Sequence, residues 1–376
     1  MNFSCYLPAN ILFGKGAVEK LGDECASRGH RVLVVTGKTS AKQSGLLDRA
    51  LDLLKSSGLE SVVFSEAEPN PTTTAVYRGV ECLRKTDCDI LLALGGGSII
   101  DCAKGIAFAA RNTGNLMDYI FGHKIPGDAL PLVAVPTTCG TGSEVNGFSV
   151  LTDPDTGDKK SLRCVSIVPR RAIIDPELMT TMPRGVLASV GFDALCHCME
   201  AYLSAIGTPV SDLYALEGIR LAHESLLPLY RGTGGPTEWE KLSWASTLGG
   251  MAIGIAGVTV PHGLEHPASG LRNLTHGKGL ASLTPPVIER SAAAAPAKYA
   301  RISRLLGGHD ENDCAGVVKE LLAGIDLDIG LASQGILPED LDWMTENAQK
   351  VSAAGIANHP VTFGPEEIKE IYRAAL

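Results

Sequence analysis

The strongest constraint on the fold is the order in which apolar runs recur. Up to about Ile174, short β-branched runs alternate with helix-like segments. RVLVV at Arg31–Val35, SVVFS at Ser61–Ser65, DILLAL at Asp89–Leu94 and PLVAVP at Pro131–Pro136 read as strands buried on both faces, the pattern of a parallel sheet covered by helices. Amphipathic stretches between them, such as SGLLDRALDLLKSSG and TTTAVYRGVECLRKT, supply those helices. The alternation predicts an α/β unit with a parallel Rossmann-like sheet. A hairpin is expected ahead of it, in SCYLPANILFG.

After Asp175-Pro176 the pattern changes. From Met182 onward the chain is mostly Ala- and Leu-rich helix punctuated by Pro and Gly, with no convincing strand pairs. The expectation is an α/β N-terminal domain over residues 1–180 and an all-α C-terminal domain over 181–376, with the boundary near 176 to 184. A chain of 376 residues can fill two such cores.

Charge narrows the partners. The net charge is −9 and the basic residues form no run or stripe, which argues against nucleic acid and anionic membrane surfaces. The most apolar stretch, ILLALGGGSIIDCAKGIAFAA, is interrupted by glycines, Asp101 and Lys104, so no run is expected to cross a bilayer. MNFSCYLPAN has neither a basic start nor an apolar core of the kind that directs export. The ten cysteines show no C-x-x-C and no disulfide-framework spacing, as expected of reduced thiols in a cytoplasmic enzyme. A small-molecule partner is expected.

The strand DILLAL runs into Gly95-Gly96-Gly97-Ser98 and then into the helical IIDCAKGIAFAA. Consecutive glycines let backbone approach a ligand, and a helix start offers free N–H groups to a phosphate. Ser98 and Asp101 stand like a capping box with Asp in place of Glu, so Asp101 is either a cap or a cofactor contact. The segment is not a G-x-G-x-x-G fingerprint, because Ile100 occupies the third glycine position. Beyond the next strand, PTTCGTGSE (Pro136 to Glu144) offers hydroxyls and glycines that could line the far side of a dinucleotide.

In GFDALCHCMEAY, Asp193 and His197 lie four apart and share one helix face, while Cys196 and Cys198 point to other faces as core residues. His262 and His266 are again four apart, and His276 follows ten residues later. A carboxylate and imidazoles gathered from three segments could hold a divalent cation. His262-Gly-Leu-Glu265-His266 also matches the H-x-x-E-H pattern of zinc hydrolases. That reading requires Glu265 to face the metal, and it leaves the glycine loop and the Asp193/His197 pair unexplained.

Five ordered blocks, GGGSIIDCAKGIA, PTTCGTGSEV, AIIDPELMTTMP, GFDALCHCMEAYLS and HGLEHPASGLRNLTHGKGLA, resemble the iron-containing (group III) alcohol dehydrogenases from about Phe13 to at least Pro286. The THGKGLA segment resembles the butanol-dehydrogenase branch. The resemblance implies a dehydroquinate synthase-like two-domain architecture, with NAD or NADP on the first domain, one divalent metal on the second and the active site between them. It implies Asp193, His197, His262 and His276 as metal ligands, His266 beside the nicotinamide, and Glu265 as incidental. Gly96, Gly97 and Ser98 match the pyrophosphate loop; Thr137, Thr138, Thr141, Asn70 and Lys159 match further cofactor contacts. Fe²⁺ is the family's metal, and Zn²⁺ suits the same nitrogen-rich donors. The substrate implied is a small alcohol or aldehyde, and the assembly a homodimer or larger homo-oligomer. Rival readings within the superfamily are a zinc polyol dehydrogenase and a dehydroquinate-synthase-like lyase.

One departure from the family pattern bears on the cofactor. Many relatives carry Thr-Asp after the RVLVV strand, where the carboxylate takes the adenosine ribose hydroxyls; here the pair is Thr36-Gly37, followed by Lys38-Thr39-Ser40. Without that carboxylate a 2′-phosphate is not repelled, and Gly37, Thr39 and Ser40 could hydrogen-bond one. NADP is therefore expected over NAD. The alternative is that Gly37 is only a turn residue and either cofactor is used.

Overall fold

The computed structural model describes residues 2–376. Eight strands form in the first half: β1 (Ile11–Phe13), β2 (Arg31–Gly37), β3 (Glu60–Ala67), β4 (Ile90–Gly95), β5 (Leu132–Pro136), β6 (Phe148–Thr152), β7 (Lys159–Arg163) and β8 (Arg171–Ile174). Six of them make one sheet in the order β1-β8-β5-β4-β2-β3, parallel throughout. Leu33, Val35, Leu91 and Ala93 pack on the helices Thr73–Lys85 and Gly97–Ala109. Val32, Val34, Leu92 and Leu94 face the helix Leu46–Ser56 on the other side. Alternate residues thus feed two cores, which is why these runs are apolar without interruption.

Two expectations about the strands need correction. SVVFS is not buried on both faces: β3 is the edge strand, with Glu60, Val63, Ser65 and Glu66 exposed and only Phe64 and Ala67 fully inward. An edge strand has one covered face, and a short β-branched run does not distinguish that case from a central one. No hairpin forms in SCYLPANILFG; its single strand, β1, pairs in parallel with β8, Phe13 opposite Ile174. The open edge of β8 supplies the partner that the short run lacks. The chain also forms an antiparallel hairpin, β6–β7, that the sequence pattern did not indicate.

The sheet ends at Ile174 and the helices begin at Arg184, with no strand after β8 among the described residues. One helix, Arg184–Leu203, is long and apolar enough to pass as a membrane span, contrary to the sequence expectation. Within the fold, 83% of that window is buried, so its apolar character belongs to a core helix. Phe192, Leu195, Cys196 and Cys198 are all fully buried there. The helices Pro236–Ala256 and Val260–Arg272 meet at a bend of 100°, which turns the second of them back toward Arg184–Leu203.

Candidate metal centre and cofactor cleft

The candidate metal ligands come from three helices. Asp193 and His197 sit mid-way along Arg184–Leu203, His262 and His266 open Val260–Arg272, and His276 is the first residue of His276–Ser291. Gly277 makes the third arrival possible: a Cβ there would lie 2.0 Å from the Ser189 carbonyl oxygen, one turn before Asp193. Only a glycine lets the helix start press so close.

Ligand atoms of Asp193, His262 and His276 all lie within 4.8 Å of one another. Asp193 Oδ1 is 3.5 Å from His262 Nε2 and 3.6 Å from His276 Nε2. His197 stands beside this group, outside the set of atoms that lie within 4.8 Å of one another. Its ring centroid is 4.4 Å from that of His262, while its Nδ1 is 3.3 Å from the Gly140 carbonyl and 3.4 Å from Asp193 Oδ1. Asp193 Oδ1 and His262 Nε2 are buried and, among the described residues, have no hydrogen-bond partner. Buried polar atoms are rarely left unpaired, and an orphaned carboxylate oxygen facing an orphaned imidazole nitrogen fits a shared cation. The donor set of nitrogens and one carboxylate is also right for a divalent transition metal.

Two buried carboxylates stand behind the histidines. Glu200 Oε1 accepts a 2.6 Å hydrogen bond from His262 Nδ1, and Glu200 Oε2 accepts 2.7 Å from the Thr259 N–H. Glu265, read from the sequence as incidental, is fully buried; its Oε2 lies 2.5 Å from His276 Nδ1 and 3.3 Å from Lys159 Nζ. The His276 contact is close but not aligned as a hydrogen bond. A carboxylate on the far nitrogen fixes which ring nitrogen is left to face a metal. Sequence reasoning missed Glu200, although Asp193, His197 and Glu200 follow an i, i+4, i+7 pattern that marks one helix face. The same arrangement explains why Glu265 cannot serve as the general base of an H-x-x-E-H hydrolase: its oxygens are taken up by His276, Lys159 and Ser269.

The charges respond accordingly. Burial works against ionised Asp193, but His197, His262 and His276 outweigh it and hold the carboxyl well below its usual range. Burial also opposes charge on His262, yet Glu200 and Asp193 prevail and push the imidazole up to about 10. His197 goes the other way, down to about 4, chiefly through burial. His266 is held well below its usual value by burial and then by the Lys159 ammonium, so its imidazole is neutral near pH 7.

The same histidines form one end of a cleft. His197, His262, His266 and His276 share its lining with Gly97, Ser98, Asp101, Thr141, Asn70 and Lys159. The cleft is lined by residues that follow β3 (Asn70), β4 (Gly97 and Ser98) and β5 (Thr141), at the carboxyl edge of the parallel sheet, where α/β proteins hold their ligands. Gly96 caps the helix Gly97–Ala109 with extended backbone and no side-chain cap bond, so Ser98 and Asp101 do not form a capping box. Asp101 instead accepts from Ser143 Oγ at 2.5 Å and from the Val150 N–H at 3.0 Å, tying the helix to the β6–β7 hairpin. A Cβ on Gly97 would meet Thr141 Oγ1 and Cγ2 at 2.4 Å, so this glycine is required by the neighbouring loop as well as by any ligand. Thr138 packs on Gly96, and the Thr137 N–H bonds the Gly95 carbonyl.

Asn70, with φ 50°, donates to Asn273 Oδ1 at 2.7 Å and so links the sheet side of the cleft to the helices. Gly37 ends β2 on the same carboxyl edge, with Thr39 and Ser40 exposed beyond it, outside the cleft lining. Lys104, which sequence reasoning passed over, is fully buried and donates to Ser143 Oγ (2.7 Å) and the Phe148 carbonyl (2.7 Å), bracing the loop opposite the glycines. Burial pushes its ammonium down to about 8.

Comparison with known proteins agrees with this geometry. A family model for iron-containing alcohol dehydrogenase matches residues 8–176, and one for the C-terminal part of the Fe-containing alcohol dehydrogenase family matches 187–376. The chain is 35% identical to a 1,3-propanediol dehydrogenase of Citrobacter freundii over 98% of each protein. It is 30% identical to an NAD-dependent methanol dehydrogenase of Bacillus methanolicus (91% of this chain, 92% of the relative) and 31% identical to an NADPH-dependent butanol dehydrogenase of Clostridium saccharobutylicum (97% and 96%). Among solved structures, an archaeal halo-thermophilic alcohol dehydrogenase from a Red Sea brine pool superposes with a TM-score of 0.95 at 34% identity, covering 100% of this chain and 99% of that one.

Proposed function

The chain belongs to the iron-containing alcohol dehydrogenase family, and from that premise we propose how its own residues divide the work. The enzyme is a metal-dependent oxidoreductase that exchanges a hydride between NAD(P) and a small alcohol or aldehyde. Residues 1–180 hold the cofactor and 181–376 the metal.

Asp193, His197, His262 and His276 are the metal ligands. The observation that carries this assignment is the pair of orphaned buried atoms, Asp193 Oδ1 and His262 Nε2, facing each other at the end of the cleft that the glycine loop enters. These residues would hold a divalent cation, which would supply Lewis-acid polarisation of the substrate C–O bond, and the cleft would hold the nicotinamide cofactor that supplies the hydride chemistry. Fe²⁺ is the proposed occupant. His266, neutral and close to the ligands without joining them, moves the hydroxyl proton between substrate and solvent.

Gly96, Gly97 and Ser98 bind the pyrophosphate at the helix start. Thr137, Thr138, Thr141, Asn70 and Lys159 add contacts along the cleft, and Asp101 shapes its wall through Ser143 and Val150. Gly37, Thr39 and Ser40 receive the 2′-phosphate, which makes NADP the preferred cofactor. This is supported by the absence of a carboxylate at the end of β2 and by the NADPH dependence named for the butanol-dehydrogenase relative. The free state of all ten cysteines suits a reducing cytoplasm.

The test is metal analysis joined to turnover. His262→Ala and His276→Ala should each lose the metal and the activity together. His266→Ala should keep the metal and turn over more slowly. Stoichiometric metal in both of the first two variants would sink the ligand assignment.

A further inference from the structure

Past His266 the cleft opens into a vestibule of about 460 Å³, walled by the loop around Phe121, the β6–β7 hairpin and the helix Leu341–Ala357. Its lining carries three cations, Lys124, Lys160 and Arg163, and among the described residues no carboxylate, in a chain whose net charge is −9. Two of the cations are committed elsewhere. Lys124 pairs with Asp118 at 2.9 Å, and Lys160 Nζ donates 2.5 Å to the Val351 carbonyl. The acid beside Lys160, Asp158, is held by Asn347 and Lys350.

Arg163 is different. Among the described residues it makes no ion pair and no side-chain hydrogen bond; its guanidinium lies over the ring of Phe148, its cross-strand partner, 4.7 Å from the centroid. Strand alternation puts Lys159, Ser161 and Arg163 on one face of β7. Lys159, at the inner end, reaches Glu265 beside His276; Arg163, at the outer end, lines both the cleft and the vestibule, as Ser161 and His266 do. The glycine loop reaches the cleft but not the vestibule. A planar guanidinium with its donors free matches an oxyanion in two-point geometry. A recess lined by one sign of charge also concentrates ligands of the other sign.

We propose that the substrate of this enzyme carries a terminal oxyanion, a carboxylate or a phosphate, which Arg163 grips in the vestibule while the alcohol or aldehyde end reaches His266. The inference rests on the dehydrogenase reading and narrows its substrate class.

The experiment compares kcat/KM of the metal-loaded enzyme for 4-oxobutanoate, its methyl ester, butanal and an aldehyde phosphate ester of similar length. An oxyanion substrate should exceed the neutral ones by about tenfold or more, and that preference should shrink as salt rises from about 50 to 500 mM. The carboxylate and phosphate arms identify which oxyanion is preferred. Arg163→Met should collapse the anion-to-neutral ratio through KM, and Arg163→Lys should restore part of it. Equal efficiencies in the wild type, or an Arg163→Met loss that is the same for all four aldehydes, would overturn the proposal. A rise in the KM for NADPH with the aldehyde ratio intact would assign the guanidinium to the cofactor and overturn it too. If no aldehyde is reduced at all, the dehydrogenase reading falls along with this one; if only the preference is missing, the dehydrogenase reading stands.

Discussion

Glu200 and His262 form a buried pair in which the imidazole Nδ1–H donates 2.6 Å to Glu200 Oε1, and this bond turns Nε2 toward Asp193. The carboxylate is itself held by the Thr259 N–H at the bend before the histidine helix. Orientation of a proposed ligand is thus set one residue further back than the ligand itself.

Replacing Glu200 with Gln keeps the volume and removes the charge. We expect metal affinity to fall by roughly 10- to 100-fold, the usual effect of losing a carboxylate behind a ligating histidine. Competition against a chromophoric chelator measures it. Unchanged affinity would mean that packing alone orients His262.

Gly97→Ala puts a methyl group 2.4 Å from Thr141. Overpacking of this kind costs about 1–3 kcal/mol, so the melting temperature should drop and the KM for the cofactor should rise. Thr141→Ala removes the two nearest obstructing atoms and leaves its own Cβ at 2.8 Å, so the double variant should recover part of the stability. Purely additive losses would rule out this contact as the cause.

Gly37→Asp tests cofactor choice. A Cβ on Gly37 meets only ordinary contacts, Ile99 Cδ1 at 3.5 Å and the Ala67 carbonyl at 3.9 Å, so the variant should fold. A carboxylate beside a 2′-phosphate costs on the order of 1–4 kcal/mol, and efficiency with NADPH should fall about tenfold or more while NADH is little affected. An Asp variant that uses NADPH as well as the wild type would place the phosphate elsewhere.

His359 carries a pH dependence outside the ligand set. It is buried with both ring nitrogens unpartnered, and burial pushes it down to about 4, against a weaker upward pull from Glu200. The unfolded chain therefore binds more protons between about pH 6.5 and 4, and stability falls as pH drops through that window, by about 3 kcal/mol at most. His359→Phe keeps the stacking on Phe363 and should flatten this part of the stability curve in denaturant titrations. An equally steep curve in the variant would exclude His359 as the source.

Much of the fold was legible because it is written locally. The runs at Val32–Val35 and Ile90–Leu94 are apolar at every position, and each face meets its own core. The edge position of β3 was not legible, since Ser61–Ser65 carries the same residue types whether one face is covered or two. The β1–β8 pairing joins residues 161 apart, Phe13 and Ile174, and no local signal records such a partner. Around the site, Glu265 looked incidental because its neighbours in sequence say nothing about Lys159, which arrives from the β6–β7 hairpin.

The sequence by itself determined the kinds of groups and their local spacing: glycines after β4, a carboxylate and a histidine four apart, then two further histidines four apart and a third after a turn. Helical periodicity converts such spacing into a shared face without reference to the rest of the chain. Tertiary structure alone decided what those faces meet. It set the 100° bend that returns the histidine helix to Asp193, and the approach of Gly277 to Ser189 that admits His276. It also placed Glu200 and Glu265 behind the imidazoles and, among the described residues, left Arg163 without an ion pair at the mouth. These relationships depend on how helices and sheet pack across long separations, where burial of apolar surface fixes the arrangement and the polar groups take the positions that packing leaves them.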